Sequence, residues 1–214
     1  MNSRLKNHLA LAALSIGGLG VAAISGSSET AADRLSIVSA YLCLLLLGIA
    51  LLIGPASVLR SGRLVVNSYI RRDTGIWAAA NGLLHFYLAN ALSMNYEYLG
   101  AYVDNAVQPP AASVRSTLYN SGTISGYVIA VLFVVLLLLS SDWMVRKVGL
   151  KWWKRIQRFS YLSFILTCIH AFEFQVLEAR PLVWVVVVAA VAVVTFSAQC
   201  MGFLAVKKSQ IGNN

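Results

Sequence analysis

Charge is scarce in this 214-residue chain: only 12% of its residues are Asp, Glu, Lys or Arg, against about a quarter in a soluble domain. Acidic residues are scarcer still, eight against seventeen basic ones. That shortage, with 58% hydrophobic residues and a mean hydropathy of +0.72, argues against a soluble globular protein. No polar stretch is long enough to build a second domain, so one transmembrane domain over 1–214 is expected. There are only three cysteines, Cys43, Cys168 and Cys200, at spacings that match no zinc or CxxC pattern; they read as small buried hydrophobes. No G-x-G-x-x-G fingerprint is present. The net charge of +9 does not imply nucleic acid, because the basic residues flank apolar blocks and form no solvated basic helix.

What is present is long apolar runs. A bilayer core of about 30 Å takes roughly 20 apolar residues as a helix. Segments near 8–25, 35–54, 74–93, 123–141, 158–175 and 181–205 meet or approach that length. "YLCLLLLGIALLIG" and "VIAVLFVVLLLLS" lack the alternation of barrel strands. The expected fold is all-α and integral to the membrane, a bundle of six transmembrane helices. The first segment, with "MNSRLKNH" before it, also resembles a secretory signal peptide, but no clean A-x-A site follows and an uncleaved helix completes an even count.

Lys and Arg orient the bundle. With the N-terminus cytoplasmic, fourteen of the seventeen fall inside, leaving Arg34, Arg115 and Arg180 outside. Six of the eight acidic residues fall outside, all but Asp73 and Asp142. Both termini are then expected to be cytoplasmic. The stretch 94–122, with Tyr96, Tyr98, Tyr102, Tyr119, Pro109 and Pro110, reads as an outer connector lying on the membrane surface, or as a lid or docking surface.

Two of the three histidines lie deep in apolar segments, where an ionisable side chain usually faces the bundle interior and serves function. His8, beside Arg4 and Lys6, reads as interfacial, with no special role. His85 follows Arg72 by 13 residues, about 20 Å of helix, and His170 follows Arg158 by 12, about 18 Å. Their equal depth, past the midplane toward the outside, makes them candidates for both axial ligands of one haem iron. Small residues share their faces. Gly82, Ala78, Gly75 and Ala89 lie near His85, and Thr167, Ser163 and Ser160 near His170, as a flat macrocycle between helices requires. Close helix packing alone accounts for such stripes too. Structural hydrogen bonding or a proton-relay role for the histidines stays open at this point.

The stretches "RRDTGIWAAANGLLHFYL", "GPASVLRSGR" and "SSDWMVRKVGLKWWKRIQRFSYLSFILTCIH" resemble the ferric reductase-like transmembrane domain family over roughly 45–175. Within that family they resemble the MsrQ-type haem-binding membrane subunits of periplasmic methionine sulfoxide reductase systems. The resemblance implies haem b held by His85 and His170. The family usually adds a histidine where this chain has Gln157, a poor iron ligand, which puts a second, inner haem in doubt. The resemblance also implies a separate electron donor, a quinol or a flavin reductase, and an outer acceptor, either ferric iron or a periplasmic reductase subunit. Arg71, Arg72, Arg155 and Arg158, with Lys151, Lys154, Trp152 and Trp153, could bind FMN phosphate or a quinone head inside, unless they are positive-inside anchors. The rival readings are a b561-type cytochrome and a non-redox membrane protein, an assembly factor or a small transporter with structural histidines. Helices two, four and six carry none of the extra histidines usual in b561, and no internal repeat marks a transporter.

Overall fold

The computed structural model describes residues 3–24, 30–61, 69–93 and 112–211, and all its regular structure there is helical. The helices are α1 (Ser3–Ile24), α2 (Ala31–Ser61), α3 (Tyr69–Ser93), α4 (Ala112–Leu138), α5 (Asp142–Val148), α6 (Leu150–Gln157), α7 (Phe159–Leu177) and α8 (Leu182–Ile211).

The apolar residues of α2 encircle it, as in a helix covered on all sides by protein or lipid. It packs against α1, α3, α7 and α8, and Leu44, Leu46, Leu47 and Leu51 form the core with Ala78, Phe133, Phe164 and Val188. Pro55 lies inside α2, where α8 comes close; a Cβ on Gly202 would sit 3.1 Å from the proline Cα, so glycine permits that approach. α4 packs along α7, and α3 closes the group between α2 and α4. Large apolar side chains on α1, α4 and α8, such as Ile16, Val131, Val193 and Phe203, point outward. That is the surface a lipid-facing helix presents, because lipid tails are as apolar as the side chains.

Five helical stretches among the described residues are long and apolar enough to cross a membrane: Ser3–Ile24, Ala31–Arg60, Thr117–Leu138, Leu150–Leu177 and Leu182–Lys208. The remaining expected span, at 74–93, is α3. At 25 residues, about 37 Å, it has the length, but Asp73, Thr74, Asn81, His85 and Asn90 dilute its hydropathy. Asp73, Thr74 and Asn81 are buried, so the polar side of α3 is turned into the bundle and not toward lipid.

Two expectations about connections change. Residues 112–122 are helical, so α4 starts about three turns before the expected 123, held there by Ser121 Oγ donating to Glu173 Oε1 at 2.6 Å. The rest of the expected outer connector, 94–111 with Tyr96, Tyr98, Tyr102, Pro109 and Pro110, lies outside the described residues, as does Arg63. Between α4 and α7, Ser141 caps α5 by accepting from Met144 N, and Gly149 at φ +80° makes the turn into α6 that side-chain-bearing residues avoid. Trp153 Nε1 donates to Leu139 O and ties α6 to the end of α4. Cys43 and Cys168 are buried as expected, but Cys200 is exposed, because α8 packs by one face at the edge of the bundle.

Candidate functional site

α3 and α7 bring His85 and His170 together, with ring centroids 6.1 Å apart and planes 77° to one another. Each ring is held by one nitrogen. His85 Nδ1 lies 2.9 Å from the backbone oxygen of Ser36 on α2, with Ser36 Oγ at 3.1 Å. His170 Nδ1 lies 2.8 Å from the backbone oxygen of Gly122 on α4, with Ser125 Oγ at 3.4 Å. A carbonyl only accepts, so both Nδ1 atoms must be the protonated donors, and each neutral ring keeps its lone pair on Nε2. This is the arrangement of metal-binding histidines, where a bond at the far nitrogen sets tautomer and ring direction. Metal–imidazole bonds of about 2.0–2.1 Å on either side of one ion place ring centroids about 6 Å apart.

The pair borders a cavity of about 250 Å³ between α2, α3, α4 and α7. Its walls include the expected Gly82, Ala89 and Thr167. The room at Gly82 is filled, however, since a Cβ there would collide with the Phe133 ring and come 2.9 Å from Cys43 Sγ. Ala78 and Ser163 are wholly buried in helix packing and do not border the cavity; Ser163 Oγ donates to the Phe159 carbonyl. Gly126, which the sequence pattern did not single out, matters more. A Cβ at Gly126 would stand 3.0 Å from His170 Cε1, tighter than ordinary contact, so glycine lets α4 pass beneath that ring without displacing it. Ser36, Gly122 and Ser125 were missed for a common reason: each lies more than forty positions from the histidine it serves. Their one signal was small residues within apolar helices.

The four expected arginines do not form one site. Arg72 Nη2 contacts Asp142 Oδ1 at 2.6 Å, and its guanidinium lies over the Tyr69 ring. Arg71 turns back toward α2 beside Gly54. Arg155 and Arg158 are exposed, with Arg155 over the ring of Trp152 on its own helix. The charged centre at this end is instead Asp73, whose side chain is 0% exposed. It accepts from Arg4 Nη2 at 3.2 Å and Asn7 Nδ2 at 3.1 Å, and His8 Nε2 lies 3.3 Å away. Trp77 Nε1 donates to His8 Nδ1 at 3.2 Å, so His8 is packed into this network and is not a bystander at the interface. Arg4 also reaches Asp142 Oδ2 at 3.3 Å. Arg72 beside the exposed Asp142 carboxyl, first by hydrogen bond and then by charge, lowers its pKa below the usual aspartate value.

Among the described residues no three His, Cys, Asp or Glu side chains gather as a metal cage. Two neighbouring imidazoles suit a metal that brings its other ligands with it, as the iron of a macrocycle does. Known proteins bear on that chemistry. No curated protein matches the chain. The family model described as "ferric reductase like transmembrane component" matches residues 35–168, a stretch that includes His85 and ends two residues before His170. It covers well over half of the sequence, and the chain belongs to the ferric reductase-like transmembrane family, whose role is electron transfer in membranes.

Proposed function

We propose that this protein is a b-type cytochrome that carries electrons through one haem b, held by Nε2 of His85 and Nε2 of His170. The observation that carries this reading is the paired tautomer, with both Nδ1 protons committed to backbone carbonyls and both Nε2 lone pairs left over, at a ring spacing of 6.1 Å. Bound haem supplies a one-electron couple. The chain's own part is to fix the two rings, leave room beside them through Gly126, and line the space with apolar groups that exclude water. A 250 Å³ space is near the small end of cofactor pockets, about 300–1,000 Å³, and Phe86 and Tyr127, stacked edge to face at 5.1 Å, form part of its wall.

In this reading α3 is the third of six spans and both termini are cytoplasmic, as the basic residues favour in a bacterial inner membrane. A separate donor on the inside, a quinol or reduced flavin, supplies electrons. The acceptor outside is ferric iron or a periplasmic reductase subunit of the MsrQ-associated kind. Arg155 and Arg158, exposed on the inner side, are the arginines still open to an FMN phosphate or quinone head. Gln157 supports no second haem.

The test is a pyridine haemochrome assay with visible spectra on purified wild type, His85→Ala and His170→Ala. The expected result is about one haem b per chain in the wild type and loss of the six-coordinate spectrum in each variant. A folded, colourless wild type made with haem supplied would overturn the reading and leave the histidines as helix-packing residues.

A further inference from the structure

The segment between α4 and α7 concentrates charge of one sign. From 146 to 158 there are six basic residues and no acidic one. Arg146, Lys147, Lys151, Lys154, Arg155 and Arg158 are all exposed. The nearest carboxylate in the sequence, Asp142, is engaged by Arg72 and Arg4. No ion pair among the described residues involves Lys147, Lys151, Lys154, Arg155 or Arg158. Four of the six share one side of α6, because Lys151, Lys154, Arg155 and Arg158 follow the i, i+3, i+4, i+7 spacing of a helix face. Trp153, Ile156 and Gln157 take the opposite side and are the partly buried residues of α6. Arg158 keeps helical dihedrals, φ −65° and ψ −21°, so the basic stripe runs about 10 Å along α6 and up to the start of α7.

Apolar groups flank these cations on the same exposed surface: Leu150 and Trp152 on α6, and Trp143 on α5. The Arg155 guanidinium lies 4.9 Å from the centre of the Trp152 ring, and Lys147 Nζ lies 4.7 Å from that of Trp143. Such contacts steady a cation without neutralising it. Cations interleaved with exposed tryptophan and leucine, at the end of a membrane helix, match the level where acyl chains give way to phosphate. We infer that the α6 stripe is a binding site for the phosphodiester head of an anionic phospholipid, received by Lys151, Lys154, Arg155 and Arg158, with Leu150 and Trp152 against its apolar part. A zwitterionic head is selected against, since its own ammonium would meet the same cations. A flavin phosphate shares the chemistry and would compete for Arg155 and Arg158. The lipid is favoured because the stripe is open along its whole length and lies where α7 begins its apolar span. The inference goes beyond the cytochrome reading and needs neither haem nor donor.

The experiment is native mass spectrometry of the full chain, purified in a non-ionic detergent. The probes are dioleoylphosphatidylglycerol and dioleoylphosphatidylcholine, which share their tails and differ in head charge. The wild type is expected to hold the phosphatidylglycerol about tenfold more tightly, a preference that shrinks as ammonium acetate is raised. Lys151→Gln with Lys154→Gln removes two cations of the stripe and leaves both arginines; it weakens phosphatidylglycerol by at least about fivefold and leaves phosphatidylcholine unchanged. Lys151→Arg with Lys154→Arg restores binding. Lys207→Gln with Lys208→Gln takes two exposed cations from the end of α8 and leaves binding within about twofold of wild type, since those cations lie off the stripe. Equal binding of the two lipids by the wild type, or equal losses in the two glutamine pairs, overturns the proposal and leaves the cations as topological anchors. FMN binding more tightly than phosphatidylglycerol, and lost in the Lys151→Gln, Lys154→Gln pair, also overturns it and assigns the stripe to a donor. Bound lipid is read as added mass on haem-free and haem-loaded chains alike, so a colourless protein that keeps the lipid preference sinks only the haem reading.

Discussion

The three histidines divide between two regions that treat imidazole in opposite ways. Around Asp73, His8 uses both ring nitrogens, one accepting from Trp77 and the other directed at the carboxylate. Between α3 and α7, His85 and His170 each use one nitrogen, toward a backbone carbonyl. A ring with both nitrogens engaged is a structural strut, while a ring anchored only by Nδ1 presents a lone pair. Depth in an apolar segment does not by itself separate these roles; the count of occupied nitrogens does.

The sharpest way to break the comparison is to remove one ring from each region. His85→Ala or His170→Ala is expected to abolish six-coordinate haem, read by visible spectroscopy, whereas His8→Gln leaves haem content within about twofold, since Gln still offers an acceptor and a donor to the same partners. A haem-free His8→Gln protein would erase the distinction. Next in size is Arg4→Ala, which withdraws the cation from a carboxylate with no solvent exposure. Breaking a buried ion pair costs about 3–5 kcal/mol; with Arg4 partly exposed and Asn7 and His8 still in place, about 2–3 kcal/mol is expected in denaturant unfolding, with spectra unchanged in the protein that stays folded.

Gly126→Leu is expected to lower haem occupancy about tenfold by pushing on the His170 ring, a misplacement of the kind that costs that much or more. The matching change at Gly75, where a Cβ meets nothing within 4 Å, should leave occupancy unchanged. Ser36→Ala removes only the hydroxyl and keeps the carbonyl that holds His85, so a stability loss of about 1 kcal/mol or less and unchanged haem content are expected. The smallest effect is at Asp142. Its folded pKa is depressed, mainly by Arg72, so its stabilisation is fully present above the unfolded aspartate value and is lost as pH falls through the lower folded one. The melting temperature of wild type minus that of Asp142→Asn should therefore hold constant from neutral pH down to the ordinary aspartate range, and shrink only below it.

The helical membrane architecture was legible in the sequence, because apolar runs of about twenty residues in lipid have no other way to satisfy their backbone. So was the matching depth of His85 and His170, set by the fixed rise of the helix and seen in ring centroids 6.1 Å apart. The weaker apolar character of α3 was legible as well, but its meaning was not: a polar stripe on one helix becomes intelligible only when Arg4, Asn7, His8 and Ser15 of α1 are found opposite it. The expected arginine cluster failed for the same reason, since spacing along the chain could not reveal that Asp142 takes Arg72.

By itself, then, the sequence determined where the helices are and how far along each helix a polar residue stands, since hydropathy and helical rise are local quantities. Only the tertiary structure decided what each polar atom faces. It set which nitrogen of each histidine is spent and which glycine lies under a ring. Those outcomes depend on groups brought together from helices far apart in the chain, and no local pattern carries that information.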